Sequence, residues 1–200
     1  MYINKFKNAR YNFFRWRYEL DLVYKISLAF IFACLTGLLA QFRFYIPGSP
    51  VPVTGQTFAV LLVGVMLGKW GGISQGIYAG IGAMGMPWFA GMNGGVGYIF
   101  GPTGGYIIGF IFASFFLGYF VDTYIQSRHF INIFVLMIFA NFVLIYTPGL
   151  IQLYLWTGAS VGLKELLMMG MMPFIVGDLI KIVAAAAITK GITPKRAYNG

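Results

Sequence analysis

The sequence has very few of the residues from which catalytic and metal sites are usually built. Among its 200 residues it has one cysteine, one histidine and five acidic residues. Cys34 alone allows neither a disulfide framework nor a thiolate cluster. His129 lies in a connection between two apolar segments, where a histidine is more commonly a surface residue than a metal ligand, and no Ser–His–Asp set can be assembled around it. We therefore expect no metal, no cofactor and no catalytic residues.

A phosphate-binding loop is also missing. The stretch from Gly64 to Trp70, GVMLGKW, has three residues between its glycines and a tryptophan after its lysine. The ATP-binding motif requires four residues between the glycines and Ser or Thr after the lysine. We therefore expect ATP to act on this protein only through partner subunits.

Charged residues are scarce as well, and apolar residues take their place. Only 10% of the residues are charged, whereas 59% are hydrophobic and 18% aromatic, and the mean hydropathy of +0.78 lies outside the range of ordinary soluble domains. A membrane helix takes roughly 20 residues plus a connection, so the chain has room for about six spans and no separate soluble domain. The net charge of +9 then indicates contact with anionic lipid rather than nucleic acid.

The apolar residues fall into six segments separated by charge, proline or glycine. The fold class that they predict is an all-α, multi-pass membrane protein with six transmembrane helices. We divide the chain into a basic N-terminal cytoplasmic segment (1–21), a six-helix membrane domain (22–192) and a basic cytoplasmic tail (193–200). The expected spans are residues 22–42, 54–67, 73–86, 104–121, 130–150 and 173–189.

The distribution of Lys and Arg predicts the orientation. With the N-terminus placed inside, the inner side has eleven of the fourteen basic residues and the outer side only Arg43 and Lys164, while Lys181 lies within the sixth segment. Basic residues accumulate in cytoplasmic loops. Both termini are therefore expected to be cytoplasmic.

The connection between the third and fourth segments, residues 87–106, is uncharged but interrupted by many glycines and prolines. Irregular backbone at membrane depth persists only where protein or a polar cavity satisfies its N–H and C=O groups. We therefore expect it to cap an outward-facing pocket. Its side chains Asn93, Tyr98 and Thr103 could contact a ligand, although loop capping and an interfacial aromatic belt explain them as well.

Asp178 and Lys181 are two opposite charges inside an otherwise apolar segment. Each costs at least a few kcal/mol in hydrocarbon, so both should face the bundle interior or an aqueous cavity. Three residues apart, they share one helix face, about one and a half turns below the expected outer end near Pro173. They could bind a polar solute, or they could form an internal ion pair that only holds helices together.

Three motifs together resemble the BioY family, the biotin-binding component of energy-coupling factor (ECF) transporters. They are Ser49–Thr57 (SPVPVTGQT), Gly101–Tyr106 (GPTGGY) and Gly177-Asp178-x-x-Lys181. The likeness covers roughly residues 25 to 190. It implies biotin capture from outside in a six-helix fold of the inner or plasma membrane, with no catalysis.

The resemblance also implies site residues and partners. Asp178 and Lys181 would lie at the biotin site under the glycine-rich loop, whose candidate contacts are Asn93, Gly95, Tyr98, Thr103, Gly104 and Tyr106. A transmembrane coupling subunit with two ATPases would pack on the small-residue strip of the first helix, Ala29, Ala33 and Gly37, although contact within the bundle explains that strip equally well.

Two points stay open at this stage. The loop at residues 91–94 lacks the basic residue that some relatives place there, so the partner of the biotin carboxylate is undetermined. The alternatives to biotin capture are another vitamin, or an intramembrane enzyme that uses Asp178 and Lys181 as acid and base.

Overall fold

The structure is a computed structural model that describes residues 2–198, and it consists of helices joined by short connections. Two two-residue strands, β1 and β2, form a small antiparallel ladder in which Arg43 pairs with Thr54 and Phe44 with Val53. In chain order the elements are α1 (Tyr2–Glu19), α2 (Leu22–Ala40), β1 (Arg43–Phe44), β2 (Val53–Thr54), α3 (Gln56–Leu67), α4 (Trp70–Ala83), α5 (Val96–Ile99), α6 (Gly104–Thr123), a 3-10 turn (Ile125–Arg128), α7 (Phe130–Phe139), a π-helical turn (Ala140–Ile145), α8 (Tyr146–Trp156), α9 (Leu163–Gly170), a 3-10 turn (Met172–Phe174) and α10 (Ile175–Ile192).

Each of the six apolar segments contains a helix, which confirms the prediction of a helical, multi-pass membrane protein. Four helical runs are long and apolar enough to cross a membrane: Leu22–Ala40, Gly104–Thr123, Phe130–Trp156 and Leu163–Ile192. The remaining two, α3 and α4, have 12 and 14 residues. The count of six spans therefore stays a prediction.

The two short helices are held by close backbone contact. Both α3 and α4 pack against α6. At Gly64 of α3, a side-chain carbon would come within 2.7 Å of the Ser114 carbonyl oxygen, and at Gly71 of α4 it would come within 2.7 Å of the Gly64 Cα. Small residues at helix contacts let the backbones approach this closely. These helices consequently bury most of their surface in protein instead of lipid.

The fifth helical run is longer than predicted. We expected it to end at Leu150, but it continues through Pro148 to Trp156. The π-helical turn changes the hydrogen-bond register, so that α8 begins at Tyr146 and Pro148 lies in its first turn. Pro148 has no N–H to donate, and the helix accommodates this missing hydrogen bond just after the change of register.

The N-terminal segment forms a helix that we did not predict, and it packs on the bundle. Phe14 of α1 is 1% exposed and lies 5.6 Å from the Tyr198 ring. Arg17 donates to Asp122 and to the Met66 carbonyl oxygen. The basic tail is therefore held against α1 as far as Tyr198, while residues 199–200 of that predicted segment lie outside the described residues.

Arg128, one of the eleven basic residues assigned to the inner side, is only 2% exposed. It donates to three backbone carbonyl oxygens, those of Val121, Pro194 and Arg196, and its burial lowers its pKa. A buried guanidinium needs such acceptors because it carries five N–H donors and no acceptor. Arg128 therefore clamps the C-terminal tail. His129 beside it is exposed, as expected.

The two polar clusters of the bundle lie at opposite ends of α6. Tyr106 in the first turn belongs to the cavity described below, and Asp122 in the last turn contacts Arg17. The 16 residues between them rise about 24 Å along a helix. The two clusters are therefore too far apart to be in direct contact, and a substitution in one does not touch the other.

Candidate functional site

A cavity lies between the N-terminal ends of α3, α6, α8 and α10 and the glycine-rich loop. Its wall is mostly apolar and aromatic, with charged groups only where α10 meets it. The lining residues are Val51, Pro52, Val53, Thr54, Gln56, Thr57, Tyr98, Thr103, Tyr106, Ile107, Phe110, Ile145, Tyr146, Phe174, Asp178 and Lys181. A mostly apolar cavity with a few convergent polar groups is typical of a small-molecule site.

Asp178 is the acceptor on which the polar end of the cavity is built. It is 3% exposed. Its Oδ1 accepts from Lys181 Nζ at 2.9 Å and Thr57 Oγ1 at 3.2 Å. Its Oδ2 accepts from Asn141 Nδ2 at 2.9 Å and Tyr146 Oη at 2.6 Å. Four donors thus satisfy the buried charge.

Lys181 presents the other charge of the pair to the cavity. Its side chain is 20% exposed, and its ammonium donates to Asp178 and to Thr57 Oγ1 at 3.0 Å. An ammonium has three N–H donors, so one remains for a solute. The pair is therefore both an internal ion pair and a group that a ligand can reach.

Sequence reasoning missed Asn141 and Tyr146. Both lie in the fifth helical run, at the π-helical turn and just after it. π-helical turns are rare and are frequently found at functional sites. Asn141 is fully buried, and its Oδ1 has no hydrogen-bond partner among the described residues. The one signal that the sequence offered for either residue was a polar side chain in an apolar segment.

Thr57 was also missed, although it lies within the quoted SPVPVTGQT motif. It is the second residue of α3, and its hydroxyl touches both members of the charged pair. Gln56 beside it donates to the Tyr78 hydroxyl at 2.7 Å. The first motif therefore contributes to the cavity directly through its side chains.

Stacked aromatic rings form the roof of the cavity. Tyr98 stacks on Phe89 with ring centroids 5.0 Å apart, and Trp88 Nε1 donates to the Tyr78 carbonyl oxygen at 2.9 Å. Burial raises the pKa of the Tyr98 hydroxyl, and its hydrogen bond with Thr103 and the charge of Arg43 oppose that shift. Tyr98 is therefore a neutral donor at physiological pH, next to the cavity.

The structure brings five of the eight predicted ligand contacts to the cavity wall: Asp178, Lys181, Tyr98, Thr103 and Tyr106. The other three lie behind it. Asn93 Nδ2 donates to the Ala90 carbonyl oxygen at 2.8 Å, Gly95 has φ +94° and donates to Gly82 O at 2.7 Å, and Gly104 begins α6 beneath Ile99. Their contacts hold the shape of the loop.

The proposed docking strip on α2 faces inward. Ala29 and Ala33 are fully buried, and a side-chain carbon at Gly37 would lie 3.0 Å from Trp88 Cβ. Internal packing therefore occupies the strip. Within residues 2–198 no group of His, Cys, Asp and Glu could hold a metal ion.

The fold and the site define a class, a helical membrane protein with a cavity between a charged pair and an aromatic roof. The chain belongs to the BioY family, whose sequence profile matches residues 10–198.

Curated relatives cover most of the chain. A protein of Methanothermobacter thermautotrophicus named "Probable biotin transporter BioY" is 54% identical over 68% of this chain and 90% of its own length. The "Biotin transporter BioY" of Thermotoga maritima is 36% identical over 72% of this chain and 81% of its own. A crystal structure of the S-component for biotin from an ECF-type ABC transporter matches with a TM-score of 0.75 and 26% identity, over 84% of this chain and 89% of that one.

Proposed function

We propose that this chain is the biotin-binding membrane subunit of an importer, which captures biotin from outside and delivers it inward. The observation that carries the proposal is the Asp178–Lys181 pair, which shares one cavity with the Tyr98 roof. Relatives that are named biotin transporters support it. They favour transport, and not intramembrane catalysis, as the function of the chain.

The chemistry of the cavity suits biotin. The ureido ring of biotin offers two N–H donors and a strong acceptor, and its bicycle and valeryl chain are apolar. The free N–H of Lys181 can donate to the ureido oxygen, and the second lone pair of the Thr57 hydroxyl can accept from a ureido N–H. Asp178, which already accepts from four donors, holds Lys181 and Thr57 in place. Ile107, Phe110 and Ile145 then form the wall against the apolar part.

The proposed topology has six spans with both termini in the cytoplasm and the cavity opening outward. The asymmetry of Lys and Arg supports this orientation, as does the position of the buried Arg17 and Arg128 at the end of the bundle away from the cavity. We place the protein in the inner or plasma membrane, where a biotin importer acts.

The proposed partners are a transmembrane coupling subunit and two ATPases, since the chain has no phosphate-binding loop of its own. The S-component likeness supports an ECF assembly. Because Ala29 and Ala33 are buried, the coupling subunit would contact the neighbouring exposed face of α2, which includes Ile31, Leu35 and Leu38.

Equilibrium binding of labelled biotin to the detergent-solubilised chain tests the proposal. We expect biotin to bind in preference to thiamine and riboflavin, and Lys181→Ala to weaken biotin binding roughly 10- to 100-fold, the value of a hydrogen bond to a charged group. Lys164→Ala and Glu165→Gln are matched controls, because both residues are exposed and lie outside the cavity. Preference for another vitamin, or full affinity in Lys181→Ala, would contradict the assignment.

A further inference from the structure

A free cation lies beside the roof of the cavity. Arg43, one of the two basic residues on the proposed outer side, belongs to β1 and pairs with Thr54. Thr54 and its neighbour Val53 both line the cavity. The backbone of Arg43 is therefore one strand away from the cavity wall, since paired strands lie about 5 Å apart.

The side chain of Arg43 reaches over the glycine-rich loop. A side-chain carbon at Gly91 would overlap the Arg43 guanidinium and would stand 2.9 Å from Asn93 Nδ2. Gly91 has φ +88°, a conformation that favours glycine, and its lack of a side chain leaves the space that the guanidinium fills. Arg43 and Asn93 thus place their N–H donors next to each other.

These donors connect to the cavity through one carbonyl oxygen. Asn93 Nδ2 and Tyr98 Oη both donate to the Ala90 carbonyl oxygen, at 2.8 and 3.4 Å. Tyr98 lines the cavity, and its hydroxyl lies within electrostatic range of Arg43. The guanidinium and the second N–H of the Asn93 amide are therefore donors at the rim, and the Tyr98 phenol lies beside them on the cavity wall.

No acidic side chain balances this group among the described residues. The ion pairs there are Arg15–Glu19, Arg17–Asp122 and Lys181–Asp178. Arg43 is exposed, and its guanidinium carbon lies 5.9 Å from the centre of the Tyr45 ring. Arginine is suited to planar, bidentate recognition of a carboxylate.

Gln41 fixes the loop relative to this strand. Its Nε2 donates to the carbonyl oxygens of Trp88 and Phe89 at 3.2 and 3.1 Å, and its Oε1 accepts from the Met92 N–H at 3.0 Å. Gln41 lies two residues before Arg43. The chain segment that carries Arg43 and the roof are therefore held together before a ligand binds.

We propose that Arg43, with Asn93 and Tyr98, forms a carboxylate-binding subsite at the rim of the cavity and pairs with the carboxylate of the biotin side chain. The inference rests on the proposed function. The ligand would then be held at both ends, by Lys181 and Thr57 at its ureido ring and by Arg43 at its carboxylate. Asn93, which lies outside the cavity wall, contributes to binding here through the rim.

The test compares biotin with its primary amide, which keeps every group except the negative charge. Equilibrium binding of both compounds is measured on the full chain in detergent, for wild type, Arg43→Ala, Arg43→Glu and Lys164→Ala. We expect wild type to prefer biotin about fivefold, the scale of an exposed ion pair. Arg43→Ala should abolish this preference by weakening the binding of biotin and not that of the amide, and Arg43→Glu should reverse the preference.

Two controls separate the possible outcomes. Lys164→Ala should keep the preference, and unchanged binding of the amide shows that the Arg43 variants are folded. Added salt should reduce the preference of wild type and leave Arg43→Ala unaffected, because exposed charges are screened. The subsite is overturned if wild type binds biotin without preference or if Arg43→Ala keeps the preference. Binding of neither compound to wild type would overturn the proposed function itself.

Discussion

Removing one charge of the Asp178–Lys181 pair should destabilise the protein more than removing both. In Asp178→Asn, an amide of the same shape can keep its oxygen toward Lys181 and Thr57 and turn its NH2 toward Tyr146 and the unpaired Asn141 Oδ1. Hydrogen bonds are thus largely kept. What the variant loses is the negative charge of residue 178, which in wild type pairs with the largely buried ammonium of Lys181.

Breaking a buried ion pair lowers the free energy of unfolding by about 3–5 kcal/mol. Because the Lys181 side chain is still 20% exposed, we expect Asp178→Asn to lose about 3 kcal/mol, the lower end of that range. For a chain of this size, that corresponds to a fall of roughly 9 °C in melting temperature. The double variant Asp178→Asn/Lys181→Met leaves no unpaired charge, and we expect it within about 3 °C of wild type.

Thermal unfolding in detergent, followed by circular dichroism at one fixed scan rate, measures both variants. Biotin binding should be lost in both, because the double variant restores stability without restoring the polar groups. The reasoning is refuted if the double variant melts as low as Asp178→Asn, since the pair would then not act as one unit. It is equally refuted if the double variant still binds biotin with full affinity.

Three further predictions concern single contacts. Thr57→Val removes the hydroxyl between Lys181 and Asp178 and should weaken biotin binding about fivefold without changing the circular dichroism spectrum; unchanged affinity would show that Thr57 is not at the ligand. Gly82→Ala should speed biotin release in a filter-binding assay, because the added methyl group meets the side chains of Trp88 and Phe89. The control Gly76→Ala should not change the release rate, because nothing lies within 4 Å of the added methyl group. Equal release rates in the two variants would show that the roof does not retain the ligand. Arg128→Met should expose the tail to trypsin at Lys195 without altering biotin affinity, and a tail that stays protected would contradict the clamp.

The helices and the charged pair could be predicted from the sequence because each has a strong local signal. Long apolar segments define spans through the hydrophobic effect, and Asp178 and Lys181 attract attention because charges in such a segment are costly. Tyr146 and Asn141 have no comparable signal. They meet Asp178 only because a π-helical turn changes the register of the fifth helical run, and no sequence pattern indicates that turn.

The glycine-rich loop was predicted in outline only. Its composition indicated a cap over a pocket, but Asn93, Gly95 and Gly104 proved to shape the loop from behind the cavity wall. Which side of an irregular loop faces a cavity depends on tertiary contacts such as those of Gln41. Helix α1 was missed because its many charges hid a buried face at helical spacing, formed by Phe14 and Arg17 with Arg10 beside them.

The central claim is that biotin occupies the cavity between the charged pair and the roof, and that this cavity opens outward. Val53→Cys places a thiol on the cavity wall, in a background where the single natural cysteine is replaced, Cys34→Ser. The measurement is labelling by a membrane-impermeant maleimide in intact cells, with and without biotin, with Ser160→Cys in the exposed α8–α9 connection as control. We predict that Val53→Cys is labelled from outside and that biotin protects it, while Ser160→Cys is labelled equally with and without biotin. The account would be contradicted if biotin left the labelling of Val53→Cys unchanged, or if that labelling required permeabilised cells.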